Sequence, residues 1–449
     1  MDMVIDLSSI PTSSPFAFAW WFFVTIGWIY PVFLFMYALI LFWQLYLRNK
    51  YREGRSYILL AIDVPKNSEQ GPKAVENIFN QLAGAQQSVG RYEKWWTGEI
   101  PESFSFEVVS INGYIQFIIH LEAKYRDLVE AIIYAQYPDA EIMEVEDYTQ
   151  DYKIRFPNEK YEMWGSELKL AKKQYYPIRT YPEFEHMVEG YKDSMAGMLE
   201  ALSRIGEGEQ IWVQLVVTPT GGEWIEGAAS LIKKLTGGKV EHKKDVFDYI
   251  YETPLKIINE VISPAATETK SDKAEPPNLM QYLTPGQKDQ IAAIEKKIAK
   301  TGFYTRIRVI YLAEKDKFKK PIPKIVIGAF KQFNTLDLNA FKVDAKSKTS
   351  GLVWFAKRRV IARKNKIIYR FRNRGHYLEP SNYGQILNSE ELASLYHFPT
   401  LVVKTPAVKK SEAKKAEPPI ALPVNIVRPV GQKEPSAAVK AGPPDNLPI

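Results

Sequence analysis

From Leu7 to Leu47 the chain carries no Asp, Glu, Lys, Arg or His, an unbroken run of 41 residues. A hydrocarbon core about 30 Å thick takes about 20 helical residues, so this run predicts one transmembrane helix over residues 16–47, with length to spare. Trp20 and Trp21 stand about 33 Å of helix from Trp43, the separation expected of two interfacial aromatic belts, and Tyr46 accompanies the second. Pro31 falls mid-run and is expected to kink the helix. A hairpin of two spans is the alternative, but it would use nearly every residue and put a turn in lipid. A cleaved signal peptide fits worse, because the leader lacks a basic start and the apolar stretch is far too long.

The flanks set the expected orientation. Asp2 and Asp6 precede the run, whereas Arg48, Lys50, Arg52 and Arg55 come after it with only Glu53 among them. A positive-inside bias therefore predicts a short extracytoplasmic N-terminus over 1–15 and everything after Tyr51 in the cytoplasm, in the inner membrane of a bacterium. The basic collar also attracts anionic headgroups, by about 1 kcal/mol per Lys or Arg near the surface.

Beyond the collar the chain has the pattern of a mixed α+β protein, and 449 residues suggest two or three folded units. Residues 56–150 predict a ferredoxin-like β-α-β-β-α-β unit. Its strands are Ser56–Val64, Phe104–Ile111, Tyr114–Leu121 and Ala140–Asp147, its helices Gly71–Gly84 and Ala123–Ala135. Asn112-Gly113 marks the hairpin, because a type I′ turn needs positive φ at both positions. A second α/β domain is expected over 151–345, and the repeated strand–helix–strand sets suggest a second ferredoxin-like unit. Its helices are Tyr191–Arg204, Trp224–Leu235 and Gln287–Lys300, its strands Glu209–Thr218 and Phe303–Leu312, with Ile325–Phe333 closing the sheet. An insert over 263–285 and a tail over 400–449 are too poor in large apolar residues to offset their ordering entropy and predict disorder.

Catalytic motifs are wanting. There is no cysteine, which removes disulfides, thiolate metal sites and thiol nucleophiles, and the five histidines never approach ligand spacing. Neither G-x-x-x-x-G-K-[ST] nor G-x-G-x-x-G, G-x-S-x-G or H-E-x-x-H occurs. Thr236-Gly-Gly-Lys239 lacks the preceding glycine and reads as a helix C-cap. Glu141, Glu144, Glu146 and Asp147 read as a solvated face rather than a cation site. No catalytic, cofactor-binding or metal-binding residue is assigned, and none of these groups is expected as a cofactor.

One constellation argues for binding. A basic helix is predicted over 350–376, with Lys357, Arg358, Arg359, Arg363, Lys364, Lys366, Arg370, Arg372 and Arg374 and no acidic residue from 357 to 374. The net charge of the whole chain is only +7, so this cluster is a local concentration. Three readings stay open: phosphate-backbone binding to DNA or RNA, apposition to anionic lipid, or a solvated helix whose apolar side packs on the second domain.

Several separated stretches occur together: Tyr134-Ala-Gln-Tyr-Pro-Asp-Ala-Glu-Ile142, Glu144-Val-Glu-Asp-Tyr148, Gly208-Glu-Gln-Ile-Trp-Val213, Leu283-Thr-Pro-Gly286 with Ile294-Glu-Lys-Lys-Ile298, and Leu395-Tyr-His-Phe-Pro399 with Val403-Lys-Thr-Pro406. On these, residues 20–420 resemble the membrane-anchored N-terminal region of type IV secretion or conjugation ATPase-like proteins of candidate-phyla bacteria. The P-loop motor of that family is missing here, so its ATPase activity is not carried over. The resemblance implies a non-enzymatic scaffold or docking component of a translocation apparatus. It also implies membrane lipid, a separate P-loop ATPase and other apparatus subunits as partners, within an oligomeric assembly. A membrane-tethered nucleic-acid-binding protein, using helix 357–374 on DNA, is the competing reading.

Overall fold

The computed structural model of the chain describes residues 14–23, 27, 29–65, 70–85, 89–90, 92–150, 154–185, 193–237, 283–350, 355–374 and 384–399. The expected extracytoplasmic segment before residue 14, most of the 263–285 insert and the whole tail from 400 lie outside these residues.

The described part of the apolar run comprises α1 (Pro15–Phe22) and α2 (Ile29–Glu53), with Phe23 and Gly27 between them in π-helical conformation. Pro31 therefore sits in the first turn of α2 instead of mid-span. Helix α2 runs on past Leu47 through the basic collar. Its 25 residues reach about 37 Å. It is the one described helix long and apolar enough to cross a membrane, and only 6% of its most apolar window is buried within the protein.

The body is a single antiparallel sheet with helices. Its first half runs β1 (Tyr57–Asp63), α3 (Pro72–Leu82), β2 (Phe104–Ile111), β3 (Tyr114–Glu122), α4 (Arg126–Gln136) and β4 (Glu141–Val145). In the second half come β5 (Tyr161–Leu170), α5 (Pro182–Glu185), α6 (Ala196–Ser203), β6 (Glu209–Pro219), α7 (Glu223–Leu235), α8 (Pro285–Ile298), β7 (Gly302–Glu314), α9 (Ile322–Phe330), β8 (Phe341–Val343), α10 (Ala356–Arg372), β9 (Gln385–Asn388) and α11 (Ser389–Leu395). Strand order across the sheet is β4-β1-β3-β2-β6-β7-β5-β8, with β9 also on β7. Counted outward from the β2–β6 seam, both halves place their second, third, first and fourth strands in that sequence. The seam itself is antiparallel from Phe104↔Val217 to Ile111↔Gln210. Two separately expected domains thus share one continuous sheet.

Local chemistry explains several elements. Pro72 opens α3, whose buried Val75, Ile78, Phe79 and Leu82 follow helical spacing. The hairpin forms where expected, with φ of 54° at Asn112 and 88° at Gly113. Thr284 caps α8 in a reciprocal capping box with Gln287, so residues 283–285 begin a helix rather than end a disordered insert. The closing strand expected at Ile325–Phe333 is instead α9 and a short 3₁₀ turn. Its β-branched residues favour a strand, but Pro321 as N-cap and Pro323 in the first turn suit a helix start. Gly237, at φ 80°, closes α7 at the glycine pair that resembles a phosphate-loop fragment.

The sheet has two covered faces. Helices α3, α4, α6, α9 and α11 bury the larger core, in which Phe79 packs on Phe106 at 4.8 Å and Phe303 at 5.9 Å. Full burial of one such ring contributes about 1.5–3 kcal/mol. On the opposite face Val109, Ile118, Met163, Trp212, Ile310 and Leu312 pack under Ile367, Ile368 and Phe371 of α10.

Candidate functional site

At the end of the body nearest α2, apolar side chains face outward. Phe33, Phe35, Tyr37, Phe42, Trp43 and Tyr46 of the long helix are all exposed. Tyr30 and Tyr46 bracket this stretch about 24 Å apart, and Trp43 meets Tyr46 at 6.2 Å between ring centroids. Trp20 is exposed on α1 and Trp21 half-buried. A second aromatic pair joins them. Trp95 and Trp96, on the π-turn Glu93–Thr97, line a shallow groove with Met36, Leu39, Ile40 and Trp43 while remaining 46% and 64% exposed. Gly98 makes the approach possible. It holds φ 73°, and a Cβ there would fall 2.5 Å from the Leu47 carbonyl carbon.

The basic collar divides between body and surroundings. Arg48 is buried, Arg52 donates to the Asn373 carbonyl just beyond α10, and Arg55 bridges Glu102 at 2.9 Å and Glu122 at 3.0 Å. Lys124 reaches the same two carboxylates, at 2.8 Å and 3.0 Å. Of the four collar cations only Lys50 is exposed. Collar charges expected to meet headgroups thus mostly pin the helix to the sheet.

Helix α10 divides in the same way. Lys357, Arg358, Arg359 and Lys366 are exposed. Arg363 donates to the carbonyls of Ala345 at 2.9 Å and Lys348 at 2.8 Å, and Lys364 pairs with Glu162. Burial lowers the pKa of Arg370 and Arg372 from their usual values, and partial desolvation beside Arg370 lowers that of Lys366. Arg374 is buried outright, with Glu107 at 2.9 Å and Asp147 at 2.8 Å. Burial alone would lower Arg374, but these carboxylates outweigh it and hold its pKa above the ordinary range. Asp147, disfavoured by burial yet dominated by Arg374 and Thr149, is pulled down to about 2. This removes Asp147 from the acidic face formed by exposed Glu141, Glu144 and Glu146.

Beneath α10 runs a polar rung that sequence patterning does not single out. Glu107 of β2 lies opposite Gln214 of β6, Gln214 opposite Arg308 of β7, and Arg308 opposite Glu167 of β5. Gln214 donates to Glu107 at 2.8 Å, and Arg308 donates to Gln214 at 2.7 Å and to Glu167 at 3.1 Å. The same donors close the helix. Gln214 reaches the Phe371 carbonyl at 3.1 Å and Arg308 the Arg370 carbonyl at 3.2 Å, meeting the last-turn acceptors that a helix end leaves open. Burial lowers Arg308 to about 10 despite Glu167. The available signal was a charge or amide in the middle of each of four strands, Glu107, Gln214, Arg308 and Glu167. Elsewhere, Lys297 pairs with Glu391 at 2.9 Å and His397 with Asp193 at 2.7 Å, all four buried. Among the described residues no group of three or more acids or histidines is placed to hold a metal ion.

A family model described as a domain of unknown function (DUF8128) matches residues 57–411, beginning just after α2. No curated protein matches the chain.

Proposed function

This chain belongs to the DUF8128 family, a domain of unknown function, and on that premise we propose that it is a membrane-anchored, non-enzymatic docking platform. The observation that carries the reading is the exposed apolar helix α2 with Trp95 and Trp96 seated against it. A helix of this hydropathy, so little covered by protein, is at home in lipid, and aromatic rings beside its basic end suit an interface. The basic flank supports the inner membrane, with the sheet on the cytoplasmic side. The buried pairs of Arg374, Lys297 and His397 support a structural role for groups that could otherwise do acid–base work. The strand order of each half supports two ferredoxin-like units joined at the β2–β6 seam. Short β4 and β8 end the sheet, so an assembly partner would meet narrow, charged edges and helical faces.

The resemblance in sequence supports a secretion or conjugation-like apparatus, with a P-loop ATPase on a separate polypeptide as the partner. Affinity capture of the full chain from membranes in mild detergent is expected to bring down such an ATPase. Repeated capture with none recovered removes the motor-docking reading.

A nucleic-acid reading is favoured by one observation, the exposure of Lys357, Arg358, Arg359 and Lys366 together on α10. On that reading DNA affinity falls with salt by a log–log slope of about 0.9 per phosphate contact. Charge reversal at Arg358, Arg359 and Lys366 then lowers the slope by about three contacts. An unchanged slope in that variant assigns these cations to lipid or solvent instead.

A further inference from the structure

The turn that seats Trp95 and Trp96 against α2 is closed on itself. The Glu93 carbonyl accepts from the Thr97 hydroxyl at 2.6 Å, from the Gly98 N–H, and from the Glu99 N–H at 3.2 Å. Both ends of the turn, with Glu93 and Glu99, are thereby held at one base, and the two indoles form its tip. The base is level with Leu47, because Gly98 lies against the Leu47 carbonyl. The tip reaches further along α2, where the rings line the groove with Met36, Leu39, Ile40 and Trp43. Trp43 is about 6 Å and Met36 about 16 Å of helix beyond Leu47.

Those positions lie on the apolar side of the basic collar. Lys50, the exposed collar cation, is about 10 Å of helix behind Trp43, and from Leu47 back to Leu7 the sequence has no charge. The collar also fixes the angle, since Arg52 and Arg55 hold the end of α2 to the body through the Asn373 carbonyl, Glu102 and Glu122. Wherever α2 enters lipid, the tip of the turn enters with it. Tyr92, Trp95 and Trp96 stay exposed there, beside the exposed Trp43 of the helix. Large rings grouped on a surface mark an interaction site, and indoles favour the headgroup boundary. A turn whose leading carbonyl is met internally is also suited to a layer short of water.

We propose that this turn is a second membrane-inserting element, with Trp95 and Trp96 seated among the lipids of the leaflet nearest the sheet. The groove of about 450 Å³ between turn and helix is then filled by acyl chains. The sheet rests on the bilayer at two points instead of hanging from α2 alone. The inference rests on α2 crossing the membrane, as proposed above.

The chain has no cysteine, so one introduced thiol carries one nitroxide label. Trp96→Cys, Phe42→Cys and Tyr114→Cys of the full chain, labelled and placed in phosphatidylcholine nanodiscs, are compared by power saturation of their paramagnetic resonance. Oxygen serves as the lipid-soluble relaxant and a nickel chelate as the water-soluble one. Tyr114 is the distal reference, because Tyr57↔Glu122 puts the other end of β3 nearest α2 and Tyr114 is about 27 Å back along that strand. The label at position 96 is expected to match that at 42, more accessible to oxygen than to nickel, and the label at 114 to show the reverse. Because Trp96→Cys removes a ring from the turn, a second measurement keeps both rings in the parent. Quenching of intrinsic fluorescence by brominated phosphatidylcholine should be smaller in Trp95→Phe with Trp96→Phe than in the parent. Quenching that the double variant leaves unchanged overturns the proposal, as does a label at 96 open to nickel while that at 42 is not; α2 then stays in the membrane. A label at 42 open to nickel overturns the membrane reading and this inference with it.

Discussion

Replacing Arg374 by Met is expected to destabilise the body by about 3–5 kcal/mol, because it strands carboxylates whose cation has been removed. Glu107 is fully buried and Asp147 mostly so, and Arg374 is bonded to both. Ser105, Gln214 and the Tyr148 hydroxyl also donate to Glu107, but they are neutral and cannot offset its charge. For a body of this size such a loss lowers Tm by about 4–7 °C. Adding Glu107→Gln to Arg374→Met should return part of the loss, since it neutralises the fully buried carboxylate while the more exposed Asp147 stays without its cation. The same knot sets an acid limit. The folded pKa of Asp147, about 2, lies below its ordinary value of 3.8. Its stabilisation is therefore fully present above pH 4, and lost as pH falls towards 2. In Arg374→Met that pH dependence should flatten. Thermal melts of both variants across this range check the prediction, and a Tm within about 1 °C of the parent at neutral pH contradicts it.

The second large effect concerns α2. Phe35 and Tyr37 are exposed and lie outside the groove that holds Trp95 and Trp96, so charging them leaves that groove in place. In lipid, each arginine near a helix centre costs about 2.5–3.5 kcal/mol on insertion scales. Phe35→Arg with Tyr37→Arg is therefore expected to shift the chain out of the membrane fraction, whereas Phe35→Leu with Tyr37→Leu leaves it there. The two predictions are independent, since one acts on the sheet and the other on a helix outside its core.

Where local chemistry decides, the sequence is a good guide. Asn112-Gly113 needs positive φ at both residues and has it, and the α3 stripe packs as its spacing implies. Long-range choices are hidden. Tyr161–Leu170 reads poorly as a strand because Gly165, Ser166 and Glu167 interrupt it, but Glu167 belongs to the rung under α10 and Gly165 lies 3.2 Å, by its missing Cβ, from Ile367. The β2–β6 seam joins strands apolar on both faces, which alternation cannot assign to an edge or a centre. For the basic helix, the cluster was visible but its division was not. Which charges turn inward depends on Ile367, Ile368 and Phe371 meeting the sheet and on carboxylates over 200 residues earlier in the chain. Trp95 and Trp96 gave no periodic signal, being placed by one π-turn and a glycine.

Anchoring is most directly tested by protease digestion of inverted inner-membrane vesicles, after washing at alkaline pH to strip peripheral protein. The full chain should stay with the washed vesicles, and protease should then remove the sheet domain while leaving a membrane-held fragment that contains Tyr30–Glu53. Release of the intact chain by the alkaline wash, or a sheet domain shielded from protease in sealed inverted vesicles, would contradict it.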